Sequence, residues 1–285
     1  MWTDLNRPPL DGNALRRALV RSDNDDARVF WNRLDVVEET GSTNADLLAR
    51  AADPDADRHV LIAEYQASAR GRHSRTWVSP PQAQISMSVL LSMPGMNLAD
   101  MGWLPLLSGI AVVDALRNVA EVPAELKWPN DVLIGDKKVA GILAEVARTA
   151  PDPAVVVGIG LNVSLGVEEL PVPTATSLLI EEASTVDRDT LVRAIARELA
   201  TQFRAWESSK WDTSVLAAEY RQRCGTLGKR VRAVLPGDKE VFGIATDVDT
   251  SGRVVIEIEG TDGETFAVAA GDITHLRAAP PVTES

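Results

Sequence analysis

The stretch ARGRHSRTW concentrates positive charge in a chain whose formal net charge is −12. It contains Arg70, Arg72 and Arg75, with His73 among them. In an extended loop Arg70 and Arg72 project to the same side, and Gly71 between them has no Cβ to keep a ligand off the backbone. Two guanidinium groups beside exposed amides suit the oxygens of a phosphate or a carboxylate. The stretch is equally compatible with a solvated basic turn.

A second stretch with polar side chains, KWPNDVLIGDKKVAGILAEV, predicts a β-hairpin. Pro129 interrupts regular structure, VLI and VAGILAEV have the composition of strands, and GDK forms the turn between them. Lys138 lies at the mouth of this hairpin, where its ammonium can point to solvent or into a site. Asn130 and Asp131 enter the sheet from a proline-restricted loop, which can hold a polar ligand rigidly. Gly141, inside an apolar strand, indicates that another group approaches the backbone closely.

A third stretch, VVVGIGLNV, has Gly158 and Gly160 on either side of Ile159, followed by Asn162. These glycines are not a dinucleotide-binding fingerprint, because no third glycine and no helix start follow. The segment GTLGK likewise has two residues between its glycines instead of the four of a P-loop. A nucleotide, if one binds, is therefore held without either of these phosphate cradles.

The fourth stretch, TGSTNADLL, places Ser42, Thr43 and Asn44 just before a predicted helix. Capping of that helix would explain a polar residue here without any ligand. Three short hydrogen-bonding side chains in a row exceed what one cap uses, however. A polar heterocycle facing some of them is the alternative.

Length and composition exclude several classes of protein. With 285 residues, 45% of them hydrophobic, the chain can form one large domain and a small one. It has no run of about 18 apolar residues and no apolar signal region at its start, which predicts a cytoplasmic protein without a membrane span. Acidic residues outnumber basic ones, 41 to 29, which disfavours general binding to the phosphate backbone of nucleic acids.

The few cysteines and histidines exclude further kinds of site. A single cysteine, Cys224, rules out an internal disulfide and has no thiol partner, so we expect a core or surface thiol and not a nucleophile. The three histidines, His59, His73 and His275, are widely separated and have no cysteine neighbours. A zinc site is therefore not expected.

Short apolar runs from Leu34 to about Ile180 predict the strands of a largely buried sheet, namely VLIAEY, ISMSVLLSM, VLIG, VAGILAEV and VVVGIGLNV. Helices are predicted at NADLLARAA, at the apolar LPLLSGIAVVDALRNV, behind Asp187 and Asp189, and at TSVLAAEYRQR. From Gly228 onward, short strands alternate with the turns PGDK, DTSG and GTDG. This pattern predicts a small antiparallel barrel.

The stretches GSTNADLL, AEYQASARGRHSRTWVSP, KWPNDVLIGDKKVAGILAE and GIGLNV, in this order and spacing, resemble biotin protein ligases over residues 35–277. The resemblance implies an α+β fold, with a mixed β-sheet and helices like those of class II synthetases, followed by an SH3-like β-barrel. It divides the chain into an N-terminal extension at 1–34, a catalytic domain at 35–225, the barrel at 226–277 and a frayed tail at 278–285. The short start resembles that of family members without a DNA-binding winged helix.

The resemblance also implies a reaction in two steps. Biotin and Mg²⁺-ATP give biotinyl-5′-adenylate and pyrophosphate, and the lysine ε-amine of a biotin carboxyl carrier domain then displaces AMP. ATP and biotin are substrates, and neither DNA nor a membrane is an expected partner. The nucleophile of the second step belongs to the carrier, so no catalytic triad is required. Fixed positive charge and a closing loop would stabilise the reacting anions and exclude water.

Residue by residue, the same resemblance implies three functional sets. Catalysis is assigned to Lys138, Arg72 and Arg70. Biotin binding is assigned to Ser42, Thr43, Asn44, Gln66, Arg70, Gly71, Arg72, Lys138, Gly141 and Gly160. Nucleotide binding is assigned to Arg72, Arg75, Trp77, Asn130, Asp131, Lys138 and Asn162. No metal ligand is assigned, since Mg²⁺ would be held mainly by the ATP phosphates.

The basic loop departs from the family at two positions, Ala69 and Ser74, where glycines are usual. Both changes restrict the backbone and bear on loop closure. Two other functions stay open: a lipoate–protein ligase of the same fold, and a non-catalytic module whose barrel docks a partner while the loop holds an anion. A biotin-responsive repressor would need a basic recognition helix, which residues 1–35 do not show.

Overall fold

A computed structural model describes residues 7–20, 29–72, 77–234, 240–269 and 276–278. Within these ranges the chain forms five α-helices and two β-sheets. The helices are α1 (Gly12–Leu19), α2 (Thr43–Arg50), α3 (Trp103–Ala115), α4 (Arg188–Ser208) and α5 (Thr213–Arg223). The strands are β1 (Arg33–Thr40), β2 (His59–Gln66), β3 (Gln84–Ser92), β4 (Ala124–Lys127), β5 (Asp131–Ile134), β6 (Lys137–Arg148), β7 (Ala154–Asn162), β8 (Arg230–Val234), β9 (Glu240–Val248), β10 (Val254–Ile258), β11 (Thr265–Val268) and β12 (Leu276–Ala278).

The larger sheet has seven strands in the order β1-β2-β3-β7-β6-β5-β4. The first two strands are parallel and are joined through α2, whereas all other neighbours are antiparallel. This confirms the predicted mixed sheet, and the five apolar runs of the sequence lie in β2, β3, β5, β6 and β7. The sequence did not predict β1 and β4, which are the polar RLDVVEET and the four-residue AELK at the two sheet edges.

The two faces of the larger sheet have different partners. On β7 the side chains of Val155, Val157, Ile159 and Leu161 belong to the main core, which α3 and α4 complete. The side chain between the first two, Val156, packs on the opposite face in a small cluster with α2. Strand alternation therefore separates a thick apolar core from a thinly covered face.

The apolar segment 98–120, which contains α3, is long enough to span a membrane and has a mean hydropathy of 1.4. However, 61% of its apolar 18-residue window is buried inside the fold. Helix α3 contacts α4, α5 and the strands of the larger sheet, and at Gly109 an added Cβ would lie 2.7 Å from Leu126 Cδ2. Its composition is that of a central core helix, as LPLLSGIAVVDALRNV predicts.

The segment before β1 packs into the main core instead of extending from it. Among its buried side chains are Leu10, Leu15, Leu19, Phe30 and Trp31. The indole Nε1 of Trp31 donates to a carbonyl of α4 at 3.1 Å. The boundary at residue 34 stays a prediction, and burial of this segment weighs against its being a separate extension.

A buried ion pair fixes the same segment to the sheet. The guanidinium of Arg188 lies 2.6 Å from the carboxylate of Glu64 and donates to the carbonyl of Pro8 at 2.6 Å. The second carboxylate oxygen of Glu64 accepts from the backbone N–H of Leu10, also at 2.6 Å. Because these bonds satisfy both charges, the pair avoids the penalty of an uncompensated buried ion.

The smaller sheet has five antiparallel strands in the order β11-β10-β9-β8-β12, which confirms the predicted small SH3-like unit. Its β9–β10 turn docks against the larger part of the fold. The indole of Trp128 donates to the carbonyl of Gly252 at 2.9 Å, and the indole of Trp103 donates to that of Thr250 at 2.8 Å. At Gly252, φ is +76° and an added Cβ would lie 2.9 Å from Leu106 Cδ1.

We predict that Gly252→Ala destabilises the protein more than Gly260→Ala. Both glycines have a positive φ, +76° and +78°, which costs an alanine about 1 kcal/mol. Only at Gly252 does the new methyl group also meet Leu106 and disturb a docked turn, adding about 1 kcal/mol. Urea unfolding of the two variants measures this difference. Equal losses of stability would show that the turn does not stabilise the contact between the sheets.

Candidate active site

A cavity of about 560 Å³ lies on the thinly covered face of the larger sheet, beside α2. Every predicted site residue that the structure describes lines it: Ser42, Thr43, Asn44, Gln66, Arg70, Gly71, Arg72, Trp77, Asn130, Asp131, Lys138, Gly141, Gly160 and Asn162. Outside the described residues lie Arg75, His73, Ser74, His275 and residues 279–285 of the predicted tail. The four sequence motifs therefore meet in one place.

Three glycines on neighbouring strands, Gly141, Gly158 and Gly160, form the floor of the cavity. A Cβ at Gly160 would lie 2.8 Å from the indole of Trp77, and one at Gly158 would lie 2.3 Å from Asn44 Oδ1. A Cβ at Gly141 would lie 3.1 Å from the same indole. The glycines therefore let Trp77 and Asn44 lie directly against the sheet.

One end of the cavity is neutral and polar, and it lies at the start of α2. Ser42 acts as the helix cap, with Oγ accepting from the N–H of Ala45 at 3.4 Å. The N–H of Thr43 donates to Gln66 Oε1 at 2.8 Å, and Asn44 Nδ2 donates to the carboxylate of Glu145 at 2.7 Å. Capping accounts for Ser42, whereas Thr43 and Asn44 are used in other contacts.

The other end of the cavity carries the charged groups. Lys138 Nζ lies 2.5 Å from Asp131 Oδ1 and 5.4 Å from the centre of the Trp77 ring. The side chain lines the cavity, and its ammonium lies 3.0 Å from the position of a Cβ added at Gly141 on the cavity floor. Its backbone is held by the following loop, because the N–H of Lys138 donates to Thr174 at 2.8 Å and its carbonyl accepts from Thr176 at 2.9 Å.

The basic loop reaches the KWPND segment across the cavity. Arg72 Nη1 donates to Asn130 Oδ1 at 3.2 Å, and Asn130 Nδ2 donates in turn to the carbonyl of Ile142 at 2.9 Å. The base of the loop is closed by a backbone bond of 3.0 Å from Trp77 to the carbonyl of Ala69. Arg70 is exposed at the rim. A guanidinium is thus placed over the cavity, as the loop sequence predicts.

Trp77 and Asn162, which are predicted to bind the nucleotide, form side-chain hydrogen bonds within the protein. The indole of Trp77 donates to Gln84 Oε1 at 2.6 Å, and Gln84 Nε2 donates to Ser86 Oγ at 2.8 Å. Asn162 is 4% exposed and donates to the carbonyl of Thr176 at 2.8 Å. Its side chain fixes a loop, and its contact with a nucleotide stays a prediction.

Several lining residues were not predicted from the sequence. Ser88 and Asp136 line the cavity, as does the loop of residues 171–175, and Glu145 contacts Asn44 from just outside. The serines of ISMSVLL alternate with apolar residues, a pattern typical of a strand with one polar face. That signal could have revealed Ser88. The loop PVPTA carries no comparable pattern.

The single cysteine is a core thiol. Cys224 is 7% exposed, and burial raises the pKa of its thiol. The group is protonated at neutral pH and is a poor nucleophile. This confirms the sequence prediction.

Two family models match the chain. The biotin/lipoate A/B protein ligase family matches residues 37–162, and the biotin protein ligase C-terminal domain matches residues 226–276. The biotin–[acetyl-CoA-carboxylase] ligase of Mycobacterium tuberculosis is 46% identical over 278 residues, which are 96% of this chain and 98% of that protein. This chain is a member of the biotin protein ligase family.

Two further biotin protein ligases show the extent of the likeness. The bifunctional ligase/repressor BirA of Escherichia coli is 31% identical over 229 residues, or 80% of this chain and 69% of that protein. The structure of the biotin protein ligase from Aquifex aeolicus in complex with biotin and ATP has a TM-score of 0.71 and 25% identity. The match covers 87% of this chain and 100% of the Aquifex aeolicus chain, so the shared fold includes both sheets.

We predict that Gly160→Ala in this biotin protein ligase displaces the indole of Trp77 from the cavity floor. The new methyl group would lie 2.8 Å from the ring, and such overpacking costs about 1–3 kcal/mol of stability. Quenching of tryptophan fluorescence by acrylamide should increase, and it should not increase when Gly160→Ala is made in a Trp77→Phe background. Gly102→Ala, with open space around its Cβ, is the control. Unchanged quenching would contradict the packing of Trp77 on Gly160.

Proposed function

We propose that the chain is an ATP-dependent biotin protein ligase, which activates biotin as biotinyl-5′-adenylate and transfers it to a lysine of a biotin carboxyl carrier domain. One observation carries the proposal: a single cavity joins a neutral polar end at Thr43 and Gln66 to a cationic end at Lys138 and Arg72. Biotin has the matching form, with a neutral polar ring system at one end and a carboxylate at the other. The names of the relatives from Mycobacterium tuberculosis and Aquifex aeolicus support the same substrates.

In the first step a biotin carboxylate oxygen attacks the α-phosphorus of ATP. A new bond forms between that oxygen and the phosphorus, the bond to the β-phosphate oxygen breaks, and pyrophosphate leaves with the negative charge. Two anions must approach each other, so fixed cations lower the barrier. Lys138 and Arg72 supply these cations, with Arg70 at the rim.

Asp131 contacts the ammonium of Lys138. This ion pair holds the side chain on the cavity side of β6, so little reorientation is needed when a ligand anion arrives. A carboxylate or a phosphate then competes with Asp131 for the same ammonium. Preorganisation of this kind is the main way in which a fixed charge contributes to catalysis.

In the second step the lysine Nε of the carrier attacks the carbonyl carbon of the adenylate. An amide bond forms, the bond to the phosphate oxygen breaks, and AMP leaves, while the attacking amine loses a proton. The mixed anhydride would hydrolyse if water reached it. The contact of Arg72 with Asn130 supports a role for Arg72 in shielding the intermediate.

Mg²⁺ would accompany ATP and bind mainly to its phosphates. The carboxylates of Asp131 and Asp136 line the cavity, and oxygen ligands of this type suit Mg²⁺. The need for ATP and for a carboxylase partner supports a cytoplasmic location.

The first test is biotin-dependent release of pyrophosphate from Mg²⁺-ATP, with lipoate and octanoate assayed in parallel. We expect release with biotin, followed by transfer of the label to an added biotin carboxyl carrier domain. Release with lipoate alone would support the same adenylation mechanism with lipoate as the substrate. If none of the acids causes release of pyrophosphate, the remaining interpretation of the protein is a non-catalytic binding module.

We predict that Lys138→Ala lowers the rate of adenylate formation by about 10²-fold or more, because a preorganised cation is lost from the reacting centre. The neighbouring variant Lys137→Ala is the matched control, since Lys137 lies on the same strand and is exposed. Pyrophosphate release measures the rate, and urea unfolding verifies that both variants fold. Full activity of Lys138→Ala would remove this residue from the mechanism.

A further inference from the structure

The charged side chains of the cavity have an excess of positive charge. In the described part of the chain, four basic side chains and two carboxylates line it: Arg70, Arg72, Lys127, Lys138, Asp131 and Asp136. This excess suits the anions that react in the first step. The second step brings a lysine side chain to the same place, and a lysine is an ammonium at neutral pH. A cation must therefore enter a cavity whose own charges repel it.

The two carboxylates differ in what they contact. Asp131 Oδ1 lies 2.5 Å from Lys138 Nζ, so its charge is compensated by that ammonium. The carboxylate of Asp136 forms no hydrogen bond or ion pair with any residue that the structure describes. Asp136 is also exposed, although it lines the cavity. Its negative charge is therefore available to a cation that arrives from solvent.

Asp136 lies beside the place where the carrier lysine must react. It belongs to the turn between β5 and β6, two residues before Lys138. The Cα atoms of residues two apart are separated by at most about 7 Å. In the proposed function Lys138 contacts the reacting anions, and the lysine of the carrier attacks the carbonyl carbon between them. Asp136 is thus the nearby carboxylate on the solvent side of that carbon.

The wall next to this turn is uncharged. The loop of residues 171–175, PVPTA, lines the cavity and contains no ionisable side chain. A parallel bridge pairs Lys138 with Ala175, so the chain before each of them leaves toward the same end. Asp136 lies on one of these segments, and Val172, which is 50% exposed, lies on the other. The methylene groups of a lysine pack on such an apolar surface while its ammonium stays with a carboxylate.

We propose that Asp136 is a specificity-determining residue of the transfer step, which attracts the ammonium of the acceptor lysine to the gap between the β5–β6 turn and the loop of residues 171–175. The inference rests on the proposed function and deepens it. The ammonium loses one proton to solvent before the amine attacks, so Asp136 acts on the arrival of the lysine and not on bond formation. Its effect belongs in kcat/KM for the carrier and not in kcat.

The test supplies biotinyl-5′-adenylate directly, so that neither ATP nor Mg²⁺ is needed in the assay. Transfer to a biotin carboxyl carrier domain is measured over a range of carrier concentrations. In Asp136→Asn we expect kcat/KM for the carrier to fall about fivefold at low salt, with kcat nearly unchanged. The loss should shrink near 1 M salt, where the screening length is about 3 Å. Asp136→Glu keeps the charge and should restore the value of the intact protein.

Hydroxylamine separates attraction of a cation from any other effect of the substitution. It is uncharged at neutral pH and cleaves the same adenylate to biotin hydroxamate and AMP. Asp136→Asn should react with hydroxylamine at the rate of the intact protein, because no ammonium has to enter the cavity. A general disturbance of the cavity would slow both nucleophiles.

Asp152→Asn is the matched control. It removes one exposed carboxylate between β6 and β7, outside the cavity lining, and so changes the net charge by the same amount. This variant should keep kcat/KM for the carrier. Asp136→Lys, which reverses the charge, should lower that value further than Asp136→Asn. Urea unfolding verifies that all four variants fold.

Equal values of kcat/KM for the carrier in the intact protein and in Asp136→Asn, at low salt, would overturn the inference and leave the ligase function in place. An equal loss with the carrier and with hydroxylamine would overturn it as well, since attraction of a cation would not be the cause. Absence of transfer from the adenylate to the carrier by the intact protein would instead reject the proposed function.

Discussion

Strand β7 carries apolar side chains on one face of the larger sheet and has two glycines, Gly158 and Gly160, on the other. Val157, Ile159 and Leu161 point into the main core, whereas Gly158 and Gly160 leave bare backbone on the opposite face. Any Cβ at these glycines would overlap Asn44 or Trp77. The cavity exists because two successive positions on this face of the strand, Gly158 and Gly160, have no side chain, and the remaining features of the site are arranged on that floor.

The two residues that pack on this floor, Asn44 and Trp77, lie beside chemically different groups. Asn44 belongs to a buried chain of hydrogen bonds that ends at Gln66, and Trp77 lies beside the ammonium of Lys138. A ligand that fits this cavity needs a neutral polar group at one end and an anion at the other. Biotin meets both conditions.

The sequence predicted the parts of the site that are local in the chain. Lys138 and Asp131 lie on one hairpin, and Arg70 and Arg72 lie in one loop, so spacing alone placed them together. Ser88 was missed because its partner Asn44 is 44 positions away, and Glu145 is 101 positions from the same residue. Pairing of this kind depends on strand order and register, which no motif contains. The edge strands were missed because β1 has one fully buried side chain, that of Leu34, and β4 is only four residues long.

The smaller sheet reaches the cavity through Trp128. Trp128 lines the cavity next to Asn130, while its indole Nε1 donates to the carbonyl of Gly252 in the β9–β10 turn. Its backbone N–H donates to Thr226 Oγ1 at 3.0 Å, in the segment that leads into β8. Residues of the C-terminal part thus accept hydrogen bonds from both the side chain and the backbone of Trp128. The smaller sheet therefore supports the segment that carries Asn130 and Asp131, whereas the larger sheet and α2 build the neutral end of the cavity without it.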